Sequence, residues 1–332
     1  MMNNVITLNS RPVGKPQLSN FKFDTEPMPV PGENEVLLKT LYVSVDPYLR
    51  GRMNDSKSYV PPFQLHQPVE SGIIAEVVES NHSGFVKGDF VSGSLAWKEF
   101  QVSAGKGLSK VDPEAAPLSA YLGALGMTGL TAYLGLTEIG QPKAGETLVV
   151  SGAAGAVGSI VGQIGKILGL RVVGIAGTDE KTALLKNRFG FDEAINYKTT
   201  NDMKEAIAAA CPDGVDIYFD NVGGEISDAV MVNLNRFARV PVCGAISLYN
   251  ATEAQTGPRL QPVLVTRSVL MRGFIVSEFA AKSQQAIAQL AGWLKEDKLK
   301  YTETVVDGFD NIPAAFMDLF EGKNEGKMVV KI

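Results

Sequence analysis

An α/β protein in two parts, a small antiparallel β-barrel and a doubly wound parallel sheet, is predicted by three patterns in these 332 residues. Short β-like runs separated by proline, glycine and asparagine fill roughly the first 125 residues. From Thr147 onward strand and helix patterns alternate, as crossover-linked parallel strands require. The last two strand-like runs, 300–306 and 328–332, follow an amphipathic helix and are assigned back to the first part.

In chain order, the barrel runs are 35–45, 72–78, 90–93 and 100–102. Their turns fall at Pro31 and Gly32, Ser83 and Gly84, and Lys87, Gly88 and Asp89. The apolar, glycine-spaced stretch 115–136 reads as helices passing between the two parts. Six strands follow, at 147–150, 171–175, 194–196, 215–219, 239–243 and 270–276, with helices at 180–188, 203–210 and 226–234 between them and another at 283–294. The boundaries are 1–127 with 300–332 for the barrel and 128–299 for the sheet.

The stretch 147–181 organises the rest. Thr147 to Val150 is a buried strand in composition, and small residues follow it at once. Val157, Ile160, Val161, Ile164, Ile167 and Leu168 then recur at spacings of three and four, which makes one apolar helix face. The turn contains Ala153, Gly155, Ala156, Val157 and Gly158, an AxGxxG variant of the dinucleotide fingerprint. Gly155 lets backbone approach a pyrophosphate, Gly158 lets the helix pack on the strand, and the helix start offers N–H groups to an anion. An ordinary βα turn is the alternative reading. A membrane span is not, because Gln163, Lys166 and Arg171 interrupt the run.

Composition narrows the chemistry. A net charge of -5, from 31 basic and 36 acidic side chains, carries no footprint for nucleic acid. The first residues lack an apolar leader and no segment resembles a membrane helix, so a cytoplasmic protein is expected. Cys211, Cys243, His66 and His82 are the only soft metal ligands, and none are paired at short spacing, so no metal is expected.

At the end of the second strand an NAD site carries an acid for the ribose diol, about 20 residues past the glycines. Here stand Ala176 and Gly177, then Thr178, Asp179, Glu180 and Lys181. Lys181 would attract a 2′-phosphate, which points to NADP(H). Alternatively Thr178 caps the next helix, with two acids in its first turn. Of the other strand ends, Asp220 and Asn221 with Gly223 and Gly224 form a ligand loop or a plain turn. Cys243 reads as a buried small residue, with no histidine nearby in sequence to activate it.

The motifs SVDPY (44–48), GMTGLTAY (126–133), SGAAGAVGS (151–159), DNVGGE (220–225), CGAISLYN (243–250) and residues 324–329 together resemble the zinc-independent medium-chain reductases. Within them the chain is most similar to the leukotriene B4 dehydrogenase, prostaglandin reductase and curcumin reductase group, from about residue 10 to the C-terminus. Where zinc-dependent cousins have a Gly-His-Glu motif, this chain reads Pro68, Val69, Glu70, Ser71, Gly72. The resemblance implies a GroES-like barrel domain, a Rossmann domain and a cleft between them. It implies that Lys181 and Tyr197 contact the 2′-phosphate side of NADP. It further implies that Asn221, the loop Cys243, Gly244, Ala245, Ile246, Ser247 and Tyr249, the run Phe274, Ile275 and Val276, and Asn324 contact its other groups. A homodimer through sheet edges near 270–276 is implied as well.

The expected reaction is NADPH-dependent reduction of the C=C bond of an α,β-unsaturated ketone or aldehyde. It places negative charge on a carbonyl oxygen that needs donors already in position. Tyr249 is the candidate stabiliser of that enolate, though it could simply pack on the ribose, and Tyr48 is a candidate lining residue of the substrate pocket, though it could be a core aromatic. Arg52 reads as a surface or ion-pair residue more than as a ligand for a substrate carboxylate. NADPH:quinone reductase activity is the nearest rival, and a non-catalytic NADPH-binding protein is the reading from another class.

Overall fold

Leu38 and Thr40 are buried and Lys39 between them is exposed, the alternation that seats one strand face on a core. That strand is the spine of the first of two units into which the chain divides in a computed structural model describing residues 2–332. The first unit runs to Leu122 and takes back Glu303–Asn324 and Met328–Ile332; the second is Gly123–Thr302 with Glu325–Lys327.

In the first unit the strands are β1 (Met2–Leu8), β2 (Phe21–Pro27), β3 (Val36–Ser44), β4 (Glu70–Ser80), β5 (Phe90–Ala96), β6 (Phe100–Ser103) and β7 (Ser109–Val111). They pair antiparallel: β1 with β2, β3 with β4 and β6, β5 with β4 and β7. Between β3 and β4 a short helix, α1 (Leu49–Arg52), has Tyr48 at its N-cap. Arg50 on α1 is 3% exposed and donates to the carbonyls of Pro12 (3.2 Å) and Gly14 (3.0 Å), which pins the loop 12–14 beside the helix. The core contains Ile6, Leu8, Leu38, Ile73 and Trp97, all fully buried. The Trp97 indole N–H, which would be costly to bury unpaired, donates to Ser71 Oγ at 2.8 Å.

The second unit starts with α2 (Met127–Leu134). Its strands are β8 (Thr147–Ser151), β9 (Arg171–Ala176), β10 (Glu193–Asn196), β11 (Val215–Phe219), β12 (Leu234–Val242) and β13 (Leu270–Gly273), in the order β10-β9-β8-β11-β12-β13 and all parallel. Helices α3 (Gly158–Ile167), α4 (Asp179–Asn187), α5 (Met203–Ala210), α6 (Gly224–Met231) and α7 (Gln261–Arg267) make the crossovers, and α8 (Ser283–Lys295) follows the last strand. Every residue of β8 is buried, as expected for a central parallel strand covered on both faces. On α3 a Cβ at Gly162 would stand 1.9 Å from the Phe191 ring, so only glycine lets the helix lie this close. The chain ends with β14 (Glu303–Asp307), α9 (Ile312–Asp318) and β15 (Lys327–Lys331); β15 pairs antiparallel with β3.

The expected barrel and doubly wound sheet are therefore present, with differences at several edges. The contact division falls at 122/123 and 302/303, where the sequence placed 127/128 and 299/300. Gly123 belongs with α2 because its carbonyl accepts from the Gly129 N–H (3.1 Å) and the Thr128 hydroxyl (3.0 Å). Strand β12 starts at Leu234 rather than at 239, and α6 ends at Met231 rather than at 234. Leu234 pairs with Val215 and Arg239 with Ile217, so residues 235–238 form a bulge that carries Phe237 at φ 63° and hides the strand's period. Strand β13 stops at Gly273, not at 276: Glu278 Oε1 accepts the Ile275 N–H (3.3 Å) and turns the chain into a 3-10 segment. Among the described residues no helix is long and apolar enough to cross a membrane.

Candidate nucleotide site in the second unit

The turn after β8 is held by backbone geometry. The Gly155 N–H donates to the Gly152 carbonyl (3.0 Å), and α3 opens at Gly158 with no side-chain cap. A Cβ on Gly158 would meet Gly152 O at 2.4 Å and Ala153 Cα at 2.8 Å, contacts with backbone that cannot yield. The N–H groups of Ala156 and Val157 have no acceptor among the described residues, so the helix start can offer them to an anion. The segment 325–327 lies along this turn, its Gly326 N–H donating to the Ala154 carbonyl at 2.8 Å.

At the ends of β9 and β10, parallel pairing sets Asn196 opposite Ala176, and the Tyr197 N–H donates to the Ala176 carbonyl (3.0 Å). The Tyr197 ring then lies across Gly177. Thr178 does cap α4, accepting the Lys181 N–H at 3.3 Å, and Asp179 accepts from the Asn196 side chain at 2.7 Å. The cap and a cationic role for Lys181 are compatible, since the cap uses only its backbone. Burial draws the Lys181 pKa down from its ordinary value; Glu325 opposes this and neighbouring Lys198 adds to it. Lys198 is a second cation here that the sequence reading passed over. The signal for it was the β9–β10 register, which is not visible before the strands are paired.

At the ends of β11 and β12 two loops interlock. Asp220, 2% exposed, accepts at Oδ1 from Ser151 Oγ (3.1 Å), Tyr218 Oη (2.8 Å) and the N–H groups of Val222 (3.0 Å) and Gly223 (2.9 Å). The Asn221 amide donates to the Ser151 carbonyl (2.8 Å). Ser247 donates from its hydroxyl to the Val222 carbonyl (2.6 Å), and the Ile246 N–H donates to Asn221 O (3.4 Å). Burial, reinforced by Asp220, pushes the Cys243 thiol up to about 12, so it is protonated at neutral pH and no nucleophile. Burial also raises the Tyr249 phenol, and the Ala245 N–H donates to its oxygen at 3.3 Å. That hydroxyl stands 2.9 Å from where a Cβ on Gly244 would be.

Residues 155–158, 177–181, 197, 221 and 243–249 thus all lie at the carboxyl ends of the parallel strands, the ligand side of such a sheet. Phe274 is 6% exposed and packs edge-on against Phe219 (6.2 Å) and Phe279 (6.2 Å), which leaves its backbone and half-buried Ile275 and Val276 to reach a ligand. Tyr48 and Asn324 belong to the other unit. Tyr48 is half-buried against the barrel core, and burial raises its phenol well above the ordinary value. Arg52 is occupied: it lies 4.0 Å over the Phe63 ring, donates to Pro61 O (3.1 Å) and pairs with Glu70 (3.6 Å).

Residues 4–111 match the family model described as the N-terminal domain of oxidoreductase, and residues 156–295 match that described as zinc-binding dehydrogenase. The NADPH-dependent curcumin reductase of Escherichia coli is 44% identical over 330 residues, 98% of this chain and 95% of that protein. The 2-alkenal reductase (NADP(+)-dependent) of Nicotiana tabacum is 42% identical over 335 residues, 99% and 97% of the two chains. Among solved structures, CurA of Vibrio vulnificus in complex with NADPH superposes with a TM-score of 0.95 at 44% identity, covering 99% of this chain and 98% of that one. Zinc, which the second family description names, does not fit these residues. Among the described residues no three His, Cys, Asp or Glu are grouped to hold a metal ion, and in 156–295 the only soft ligands are two separate cysteines, Cys211 buried and Cys243 half-buried.

Proposed function

The chain belongs to the medium-chain dehydrogenase/reductase family, and on that premise we propose that it reduces the C=C bond of α,β-unsaturated ketones and aldehydes with NADPH and without a metal. The observation that carries the cofactor half is the end of β9. There Gly177, under Tyr197, replaces the acid of an NAD site, and Lys181 and Lys198 supply positive charge. Bound at these strand ends, NADPH would supply the hydride.

The chain's own residues account for the rest. The glycine turn and the Ala156 and Val157 N–H groups hold the pyrophosphate, Asn221 and the loop 243–249 the second ribose and the nicotinamide. Tyr249 keeps its proton at neutral pH because burial raises its pKa, and its oxygen already accepts from Ala245, which leaves the O–H to donate to a developing oxyanion. Tyr48, in the barrel unit, keeps its proton for the same reason and is the proposed contact for an apolar substrate. Cys211 and Cys243 are both thiols, which suits a reducing cytoplasm. β13 is an edge strand with Leu270 51% exposed, which suits pairing with a second copy, and sedimentation tests the dimer.

Initial rates of NADPH oxidation, with NADH in parallel, over a panel of enones, enals and quinones test the activity. Turnover of enones and enals with NADPH is expected. Turnover confined to quinones would replace the reaction, and cofactor binding without any turnover would replace the enzyme.

A further inference from the structure

We propose that Asp220 is a positioning residue for the dinucleotide, a clamp that holds the strand-end loops of the two sheet halves at one spacing. The inference rests on the NADP(H) reading above. The sheet has two halves, β8-β9-β10 and β11-β12-β13, and its order reverses between β8 and β11. A dinucleotide lies across that switch point, with one mononucleotide on each half.

Asp220 sits at the switch and reaches both sides of it. Its Oδ1 takes the hydroxyl of Ser151, at the end of β8, and the N–H groups of Val222 and Gly223, in the loop after β11. Its backbone carbonyl accepts the N–H groups of Cys243 (2.8 Å) and Gly244 (3.1 Å), at the start of the loop after β12. Ser151 closes the ring: its Oγ accepts the Asn221 N–H at 3.0 Å while its carbonyl accepts the Asn221 amide. Gly244 in turn abuts the Tyr249 hydroxyl. One buried aspartate therefore ties three strand ends, those of β8 and β11 through its carboxylate and that of β12 through its backbone carbonyl, and through them Asn221 and Tyr249.

An aspartate that only forms a turn explains the bonds to Val222 and Gly223. It does not require Ser151, which is 69 residues away in sequence, or the fully buried Tyr218 hydroxyl. A neutral amide accepts more weakly than a charged carboxylate and has an NH2 donor in place of the second oxygen, so Asp220→Asn weakens the bonds from these four donors.

The test compares ligand-free wild type, Asp220→Asn and Ser151→Ala by calorimetric titration with NADPH and with adenosine 2′,5′-bisphosphate, which reaches only the adenine half. For Asp220→Asn, NADPH affinity is expected to fall about tenfold or more, as for a lost buried hydrogen bond. Bisphosphate affinity is expected to stay within about twofold, as for a site that shares no partners with the clamp. Ser151→Ala should move NADPH alone and by less, and it decides the matter should Asp220→Asn fail to fold. NADPH affinity unchanged, or both ligands weakened in parallel, overturns the clamp. Wild-type protein that binds neither ligand overturns the NADP(H) reading itself, a result that cannot be confused with the other two.

Discussion

The ring of Tyr197 covers Gly177 so closely that a Cβ there would stand 3.0 Å from a ring carbon and 3.2 Å from the hydroxyl. A ribose-binding acid at this position would have to displace the ring. What the site offers instead is a phenol edge and two lysines, a surface suited to a 2′-phosphate.

Lys181→Ala is accordingly expected to lower kcat/KM for NADPH by about tenfold, the loss of about 1.4 kcal/mol from one charge-assisted contact. The NADH value should barely move, because NADH has no phosphate at this place. Initial-rate kinetics with both cofactors measure it, and an unaltered NADPH to NADH ratio would remove Lys181 from cofactor recognition.

Tyr249→Phe removes one hydrogen-bond donor and should cut turnover of an enone by about a hundredfold with little change in KM for NADPH. Gly244→Ala places a methyl 2.9 Å from the same hydroxyl. It should push the phenol aside and cost about tenfold in turnover, by misplacement rather than by loss of the group. Wild-type kcat in Tyr249→Phe would reduce Tyr249 to a packing residue.

Glu146 and Arg239 supply a pH prediction away from the site. The Arg239 guanidinium donates to both Glu146 oxygens and to the Gly140 carbonyl (2.8 Å), with side chains 14% and 19% exposed for Arg239 and Glu146. Burial, the largest single influence on Glu146, raises its pKa, but the Arg239 bonds and the Lys143 N–H together outweigh it and leave the pKa below 4.5. The pair's stabilisation is therefore complete above the unfolded value and is lost as pH falls through the lower folded one. Urea unfolding should show Glu146→Gln weaker than wild type by about 1–3 kcal/mol near pH 7, with the gap closing below about pH 4. A gap independent of pH would mean that packing, not charge, accounts for the loss.

Much of this molecule was legible in local pattern. The run 147–181 predicts β8, the glycine turn, α3 and β9 because each depends on neighbours within a few residues: apolar periodicity, small residues where backbone must approach, and an absent acid at Gly177. Phe237 shows where that legibility fails, since a bulged aromatic at positive φ interrupts the alternation by which a strand is recognised. Phe274 shows it again. Its place in a strand-end motif says nothing of the Phe219 and Phe279 rings that bury it.

Local residues thus determine a βαβ dinucleotide unit that favours a 2′-phosphate, in a chain poor in metal ligands. Strand order and register decide the rest. They set Tyr197 over Gly177, Lys198 beside Lys181, and Asp220 against a serine 69 residues away. The physical reason is that hydrogen bonds and charge act across ångströms of space, and parallel pairing brings together strand ends that no spacing along the chain reveals.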